Sequence, residues 1–122
     1  MIGSLMMCVS VIVLFCGMVL GIAMGISEDF ALQPAHAHLN LLGGVLLFLF
    51  GLYYRLMPAA GAMMLAKVQG WLHIIGGILM PLGVAVVITH GTSFIAIPVL
   101  GSLIMLAATA LFAVIVFRTA WA

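Results

Sequence analysis

The chain has 122 residues, enough for one domain; 68% of them are hydrophobic and 4% are charged. Soluble domains are about 45–50% apolar and about 25% charged, so this composition, with a mean hydropathy of +1.53, indicates an integral membrane protein. The net charge near +1 leaves no basic surface for nucleic acid and no acidic tail, which excludes nucleic acid as a partner.

Four apolar segments follow one another along the chain, and each approaches the ~20 residues that cross a bilayer as a helix. We predict membrane spans at residues 2–26, 35–54, 68–89 and 94–117. The connections between them are short, so neighbouring helices must be antiparallel. The expected fold is an all-α integral membrane four-helix bundle, a single domain over residues 1–122.

The first span is an uncharged apolar run that contains both cysteines, Cys8 and Cys16. It is longer than the core of a secretory signal and no basic residue precedes it, so we expect a retained helix. Its cysteines lie roughly 12 Å apart along a helix axis, too far for a disulfide between them. The chain has no CxxCH sequence, which excludes covalent c-type heme attachment.

The second span begins with His36 and His38, in the sequence "PAHAHLNLLGG". Ionisable residues within membrane spans are functional candidates, and neutral histidine is the usual nitrogen ligand of heme iron. Residues two apart on a helix are turned by about 200°, so these two rings cannot both hold one iron. Either they serve two different clefts or only one of them is a ligand. A polar helix start exposed to water is the alternative.

The third span contributes the other two histidines. His73 lies near its beginning and is either a ligand or a partner of a carbonyl or polar side chain on a neighbouring helix. His90 lies at its far end, followed by "GTS". It is either an interfacial residue in contact with water or a cofactor contact.

The basic residues predict the orientation of the chain, because Lys and Arg are favoured in cytoplasmic loops. Arg55, Lys67 and Arg118 fall on one side of a four-span chain. Both termini are therefore expected in the cytoplasm, and Glu28 and Asp29 on the outer side together with His36, His38 and His90.

The segment "HAHLNLLGGVLLFLFGLYYRLMP" resembles the tenth helix of the large subunit of heme-copper oxidases and nitric oxide reductases. The shared elements are the H-x-H pair, a glycine five residues after its second histidine, and a Gly, paired aromatics and a proline at the exit; here they are His36, His38, Gly43, Gly51, Tyr53, Tyr54 and Pro58. "GWLHIIGGILM", residues 70–80, is similar to the start of the following helix in that family. The resemblance covers about 45 of the 122 residues.

The resemblance implies that His36 and His38 bind heme b on opposite faces of one helix. His90, Asn40 and Gln33 then become candidates for contacts with the heme propionates or with the ligands, and for Asn40 an interhelical hydrogen bond is equally plausible. The large subunit of that family is built from three arcs of four helices, and this chain resembles one arc. It therefore suggests a homotrimer in which His38 of one protomer and His36 of the next hold one iron, as a ring of heterologous interfaces would allow.

The departures from the family limit the expected activity. The chain has no second histidine-bearing helix of the kind that forms the family's copper site, so we expect no reduction of oxygen or nitric oxide and assign no catalytic residue. Ten methionines suggest a Cu(I) site, but they are scattered, and core packing explains them better.

Two function classes stay open from the sequence. The first is a heme b protein of a bacterial inner membrane, which transfers electrons with a quinone or another redox partner or binds a diatomic gas. The second is a non-catalytic membrane subunit or anchor whose histidines only organise helix contacts. A channel or transporter is disfavoured, because no Asp, Glu, Lys or Arg lies within a span.

Overall fold

The computed structural model describes residues 1–122 and is all-helical. Its four long helices are α1 (Ile2–Ser27), α2 (Gln33–Leu56), α3 (Met64–His90) and α4 (Ala96–Thr119). Each is long and apolar enough to cross a membrane, the last together with the preceding turn at Thr92–Phe94. The predicted all-α architecture with four apolar helices is confirmed, and it is that of a multi-pass membrane protein.

Local signals in the sequence set the ends of these helices. After α1, the Asp29 carboxylate accepts a hydrogen bond from the Ala31 backbone N–H at 3.0 Å, which closes a tight turn. Pro34 then lies in the first turn of α2, where its missing N–H costs nothing. Pro58 follows α2 and opens a single helical turn, Pro58–Gly61. Gly91, with φ 104°, ends α3 in a conformation that side chains rarely adopt.

The helices pack in the order of the chain, each antiparallel to the next. Helix α1 packs mainly against α2, α2 packs against α3, and α3 makes its most extensive contact with α4. Helix α2 also meets α4 near the Arg55 end of the bundle, where the Phe50 and Phe112 rings stack with centroids 3.6 Å apart. Helix α1 also contacts α3, so the four helices pack as a bundle and not only in neighbouring pairs.

Glycines let neighbouring backbones approach closely. A Cβ added to Gly3 on α1 would lie 2.6 Å from the carbonyl oxygen of Gly51 on α2. A Cβ added to Gly101 on α4 would lie 2.6 Å from the backbone nitrogen of Met80 on α3. Any larger residue at these positions would force the helices apart.

The contact between α2 and α3 brings together two irregular pieces of helix. Residues Leu39–Leu46 of α2 are π-helical, a form that occurs mostly in short stretches and frequently at functional sites. On α3, Pro81 has no N–H, so the Gly77 carbonyl loses its usual helical partner. That carbonyl oxygen would lie 3.0 Å from a Cβ at Gly43, in the middle of the π segment. Nothing in the amino-acid pattern predicted the π segment.

The best-packed core lies towards the end of the bundle that carries the basic residues. It is a cluster of eight buried side chains: Ile2, Met6, Leu47, Tyr54, Ala60, Ala66, Ile74 and Ile115. At the opposite end, every residue from Ile88 to Ala96 is exposed. His36, His38 and His90 therefore belong to the more open end.

Candidate functional site

His36 lies between α1 and α2 and is half-buried. Its ring packs against Gly21 of α1, where an added Cβ would lie 3.0 Å from the ring Cε1 and 3.3 Å from Nε2. The absence of a side chain at Gly21 is therefore what leaves room for the imidazole. His36 faces the interior of its own protomer.

Asn40 lies one helical turn after His36 and faces the same helix. A Cβ added to Gly17 of α1 would collide with its amide oxygen, so Gly17 makes room for Asn40 as Gly21 does for His36. The Asn40 Nδ2 lies 3.5 Å from His36 Nε2, a long and weak hydrogen bond. His36 Nδ1 and the Asn40 amide oxygen are buried without partners. Buried polar atoms without partners are rare and point to a ligand, a water molecule or a rearrangement.

His38 lies in different surroundings, half-exposed and away from Asn40. Its Nδ1 lies 2.7 Å from the Pro34 carbonyl oxygen. Because a carbonyl only accepts, Nδ1 must carry the proton and donate it. Nε2 then keeps its lone pair and has no partner in the protein. This is the tautomer that a metal-binding histidine adopts when its other nitrogen is held by a carbonyl.

His90 is exposed at the end of α3. Its Nδ1 lies 2.7 Å from the Thr89 hydroxyl, which also lies 2.8 Å from the Ala85 carbonyl oxygen. The ring also meets Phe94 edge to face, with centroids 6.3 Å apart. His90 makes no hydrogen bond to His36, His38 or Asn40.

His73 is fully buried in the contact between α2 and α3. Its Nε2 donates to the carbonyl oxygen of Leu42, in the π segment, at 2.9 Å. The edge of its ring meets Phe50 with centroids 5.0 Å apart. Of the two interpretations from the sequence, the observed contact is the hydrogen bond to a neighbouring helix.

The structure thus brings His36 and Asn40 together and leaves His38, His73 and His90 in separate places. No three His, Cys, Asp or Glu side chains converge in a way that could hold a metal ion alone. A heme iron needs fewer protein ligands, because the porphyrin supplies four nitrogens and one or two histidines complete its coordination. None of the four cavities in the protomer is lined by a histidine. A planar cofactor on His38 would therefore lie on the outer surface of the protomer.

Sequence reasoning did not identify the part played by Gly17 and Gly21. The signal was present as matched spacing: two glycines four residues apart on α1 face two polar residues four apart on α2. Residues four apart share a face, so the two pairs can meet turn by turn.

Fold and site together define a small, helical, multi-pass membrane protein with histidines concentrated at its more open end. No protein-family model, curated protein or solved structure matches this chain. Its function must therefore be argued from the geometry of the histidines.

Proposed function

We propose that this chain is a heme b protein of a bacterial inner membrane and that His38 is the principal iron ligand. His36 supplies the second axial ligand, and Asn40 and His90 are cofactor contacts. Bound heme would supply reversible one-electron transfer, or a site for a diatomic gas if one axial position stays open.

The observation that carries the proposal is the hydrogen bond from His38 Nδ1 to the Pro34 carbonyl at 2.7 Å. It fixes the ring orientation and leaves Nε2 as a free lone pair at the more open end of the bundle. The neighbours of His38 in the sequence, Ala37, Leu39 and Leu41, are apolar, which suits a noncovalently bound porphyrin. If His38 were only a water-exposed polar residue at the start of the helix, either ring nitrogen could carry the proton.

A homotrimer explains how one iron could receive two histidines. His36 and His38 of one protomer lie in different surroundings, and no cavity within the protomer contains either ring. A heme on His38 would therefore need a second surface to cover it, which an adjacent protomer could supply. The His36 ring of that protomer would have to turn away from Gly21 and Asn40 to reach the iron. The sequence resemblance likens this chain to one of the arcs from which the large subunit of heme-copper oxidases is built, and a ring of three such chains would be closed.

The proposal is tested by absorption spectroscopy of the purified protein loaded with heme. The wild type is expected to give a reduced-minus-oxidised difference spectrum of b type, which His38→Ala abolishes. His36→Ala is expected to keep the heme but convert it to a form that binds carbon monoxide, because one axial ligand is lost. A pigment unchanged in the double variant would refute the proposal.

The stoichiometry of heme and the native mass test the trimer separately. A trimer with three hemes is expected. His36→Ala should dissociate the trimer, while each protomer keeps its heme on His38. A monomer that binds one heme with full affinity would leave the heme assignment intact and exclude the shared site.

We also propose that both termini face the cytoplasm. The Arg55 end of α2, the Lys67 end of α3 and the Arg118 end of α4 lie on one side, and Glu28 and Asp29 lie on the other. Because Lys and Arg are favoured in short cytoplasmic loops, the side that carries the basic residues is expected to be the cytoplasmic one. A reporter that is active only in the cytoplasm should be active when fused after Ala122 and inactive when inserted after Thr92.

A non-catalytic membrane subunit is the second candidate, and one observation favours it. The His36 ring is already packed against Gly21 and lies 3.5 Å from the Asn40 amide, which gives it a structural role without any cofactor. If the purified protein is colourless and cannot be loaded with heme, this function is the correct one.

A further inference from the structure

The basic end of the bundle contains a cavity without a side-chain counterion. Arg55 at the end of α2 and Lys67 in the first turns of α3 both line it. The only carboxylate side chains in the chain, Glu28 and Asp29, lie at the opposite end of the bundle. Two cations therefore face one cavity and no acidic side chain neutralises them.

The cavity has a volume of about 420 Å³. Besides the two cations it is lined by Met1, Tyr54, Pro58, Gly61 and Ala62. Gly61 packs tightly on α2, since an added Cβ would lie 2.7 Å from the Tyr54 carbonyl oxygen. This contact holds the turn Pro58–Gly61 in place above the end of α2.

The arginine is positioned but still free to bind. Its Nη1 donates one hydrogen bond to the Ser4 hydroxyl of α1 at 2.9 Å. A guanidinium has five N–H donors in a planar fork, so four remain for an anion. Lys67 makes no side-chain hydrogen bond within the protein, and its ammonium keeps all three donors.

A second cavity adjoins the first and is lined mainly by apolar side chains. It has a volume of about 220 Å³ and is lined by Ile2, Leu5 and Trp71, together with Met1 and Lys67, which both cavities share. Trp71 lies one helical turn beyond Lys67 towards the middle of α3, and 54% of its surface is exposed. An apolar groove thus continues from the cationic cavity along α1 and α3 towards the middle of the bundle.

We propose that the joined cavities bind one anionic phospholipid. Its phosphate lies between Arg55 and Lys67, and one acyl chain follows the groove of Ile2, Leu5 and Trp71. The guanidinium fork suits two phosphate oxygens, and the ammonium supplies a compact second charge. Basic residues at the membrane surface attract anionic lipid in general, but only a cavity that joins a cationic and an apolar part selects an amphiphile. This site does not depend on heme.

Native mass spectrometry of the purified full chain in nonionic detergent tests the proposal. The probes are phosphatidylglycerol, phosphatidylcholine with the same acyl chains, and inorganic phosphate. Phosphatidylglycerol is expected to bind at least tenfold more tightly than phosphatidylcholine. Arg55→Gln and Lys67→Gln should each weaken it about fivefold, the loss of one surface cation. Lys67→Arg, which keeps the charge, should bind as the wild type does.

Three control variants separate the site from general electrostatic attraction. Arg118→Gln removes a cation at the same end that does not line the cavity, so it should change affinity less than twofold. Ser4→Ala removes only the hydrogen bond to Arg55 and should likewise keep binding. Trp71→Ala should weaken phosphatidylglycerol but leave inorganic phosphate unaffected.

Two results would overturn the proposal. If Arg118→Gln weakens binding as much as Lys67→Gln, or phosphatidylcholine binds as well as phosphatidylglycerol, the cavity has no selectivity. If inorganic phosphate binds as tightly as phosphatidylglycerol, the acyl chain contributes nothing and the cavity is an anion site without a lipid. Neither result would alter the heme spectrum, so this test is independent of the proposed function.

Discussion

His73 on α3 donates a hydrogen bond from Nε2 to the carbonyl oxygen of Leu42 on α2, 2.9 Å away. The accepting carbonyl belongs to the π segment, so a side chain of one helix is bonded to the irregular backbone of its neighbour. Nδ1 of His73 is then a buried acceptor without a partner, and the Gln69 amide nitrogen, one turn earlier, is a buried donor without one.

We predict that His73→Leu destabilises the protein by about 1–2 kcal/mol, because it removes this interhelical hydrogen bond from an apolar environment. His73→Gln retains a donor and should recover part of the loss. The measurement is thermal unfolding in detergent, with the exposed His90→Leu as a control that changes stability by less than about 0.5 kcal/mol. Loss of heme from His73→Leu at unchanged stability would instead identify His73 as a ligand.

The sequence predicted the four helices and the separation of His36, His38 and His90 from the basic end of the bundle. Apolar runs of bilayer length and the positions of Arg55, Lys67 and Arg118 are properties of the chain itself. The π segment at Leu39–Leu46 and the direction of His36 towards Gly21 arise from contacts between helices, and no local pattern encodes them. The free nitrogen of His38 depends on Pro34 being four residues earlier on a helix, a relation that the sequence contains but did not reveal.

We predict that Gly21→Ala and Gly17→Ala perturb the histidine site whereas Gly25→Ala does not. The three glycines lie four residues apart on α1, but a Cβ at Gly25 meets nothing within 4 Å. A Cβ at Gly21 would press on His36 and a Cβ at Gly17 would press on Asn40. We expect this overpacking to cost about 1–3 kcal/mol. Thermal unfolding and the heme difference spectrum, each compared with Gly25→Ala, provide the measurement. Equal behaviour of all three variants would mean that α1 does not position His36.

We predict that Tyr54→Phe is more destabilising than Tyr53→Phe, although each removes one hydroxyl. The Tyr54 hydroxyl donates to the Gln69 side-chain oxygen at 2.8 Å, and Gln69 is fully buried with its nitrogen already unpartnered. Loss of the Tyr54 hydroxyl leaves both polar atoms of the Gln69 side-chain amide without a partner, which costs about 1–3 kcal/mol. The Tyr53 hydroxyl donates to Thr119, whose own hydroxyl still bonds the Ile115 carbonyl, so its loss should cost about 0.5–1 kcal/mol. The reverse order in unfolding experiments would contradict the assigned network.

Helices α2 and α4 are not neighbours in the chain, and they contact each other through aromatic rings. Phe112 of α4 stacks on Phe50 at 3.6 Å and meets Tyr53 and Tyr54 edge to face at 5.5 and 5.8 Å. We expect Phe112→Ala to cost about 2–4 kcal/mol, somewhat less than a fully buried phenylalanine, because the ring is half-exposed.

Phe117→Ala is the matched control on the same helix, since 77% of its surface is exposed. It should change the free energy of unfolding by less than about 0.5 kcal/mol. If the aromatic cluster holds α4 to the rest of the bundle, Phe112→Ala should also increase proteolysis of the connection around Gly91, where the backbone is already exposed. Equal stability of the two variants would mean that α3 alone holds α4 in place.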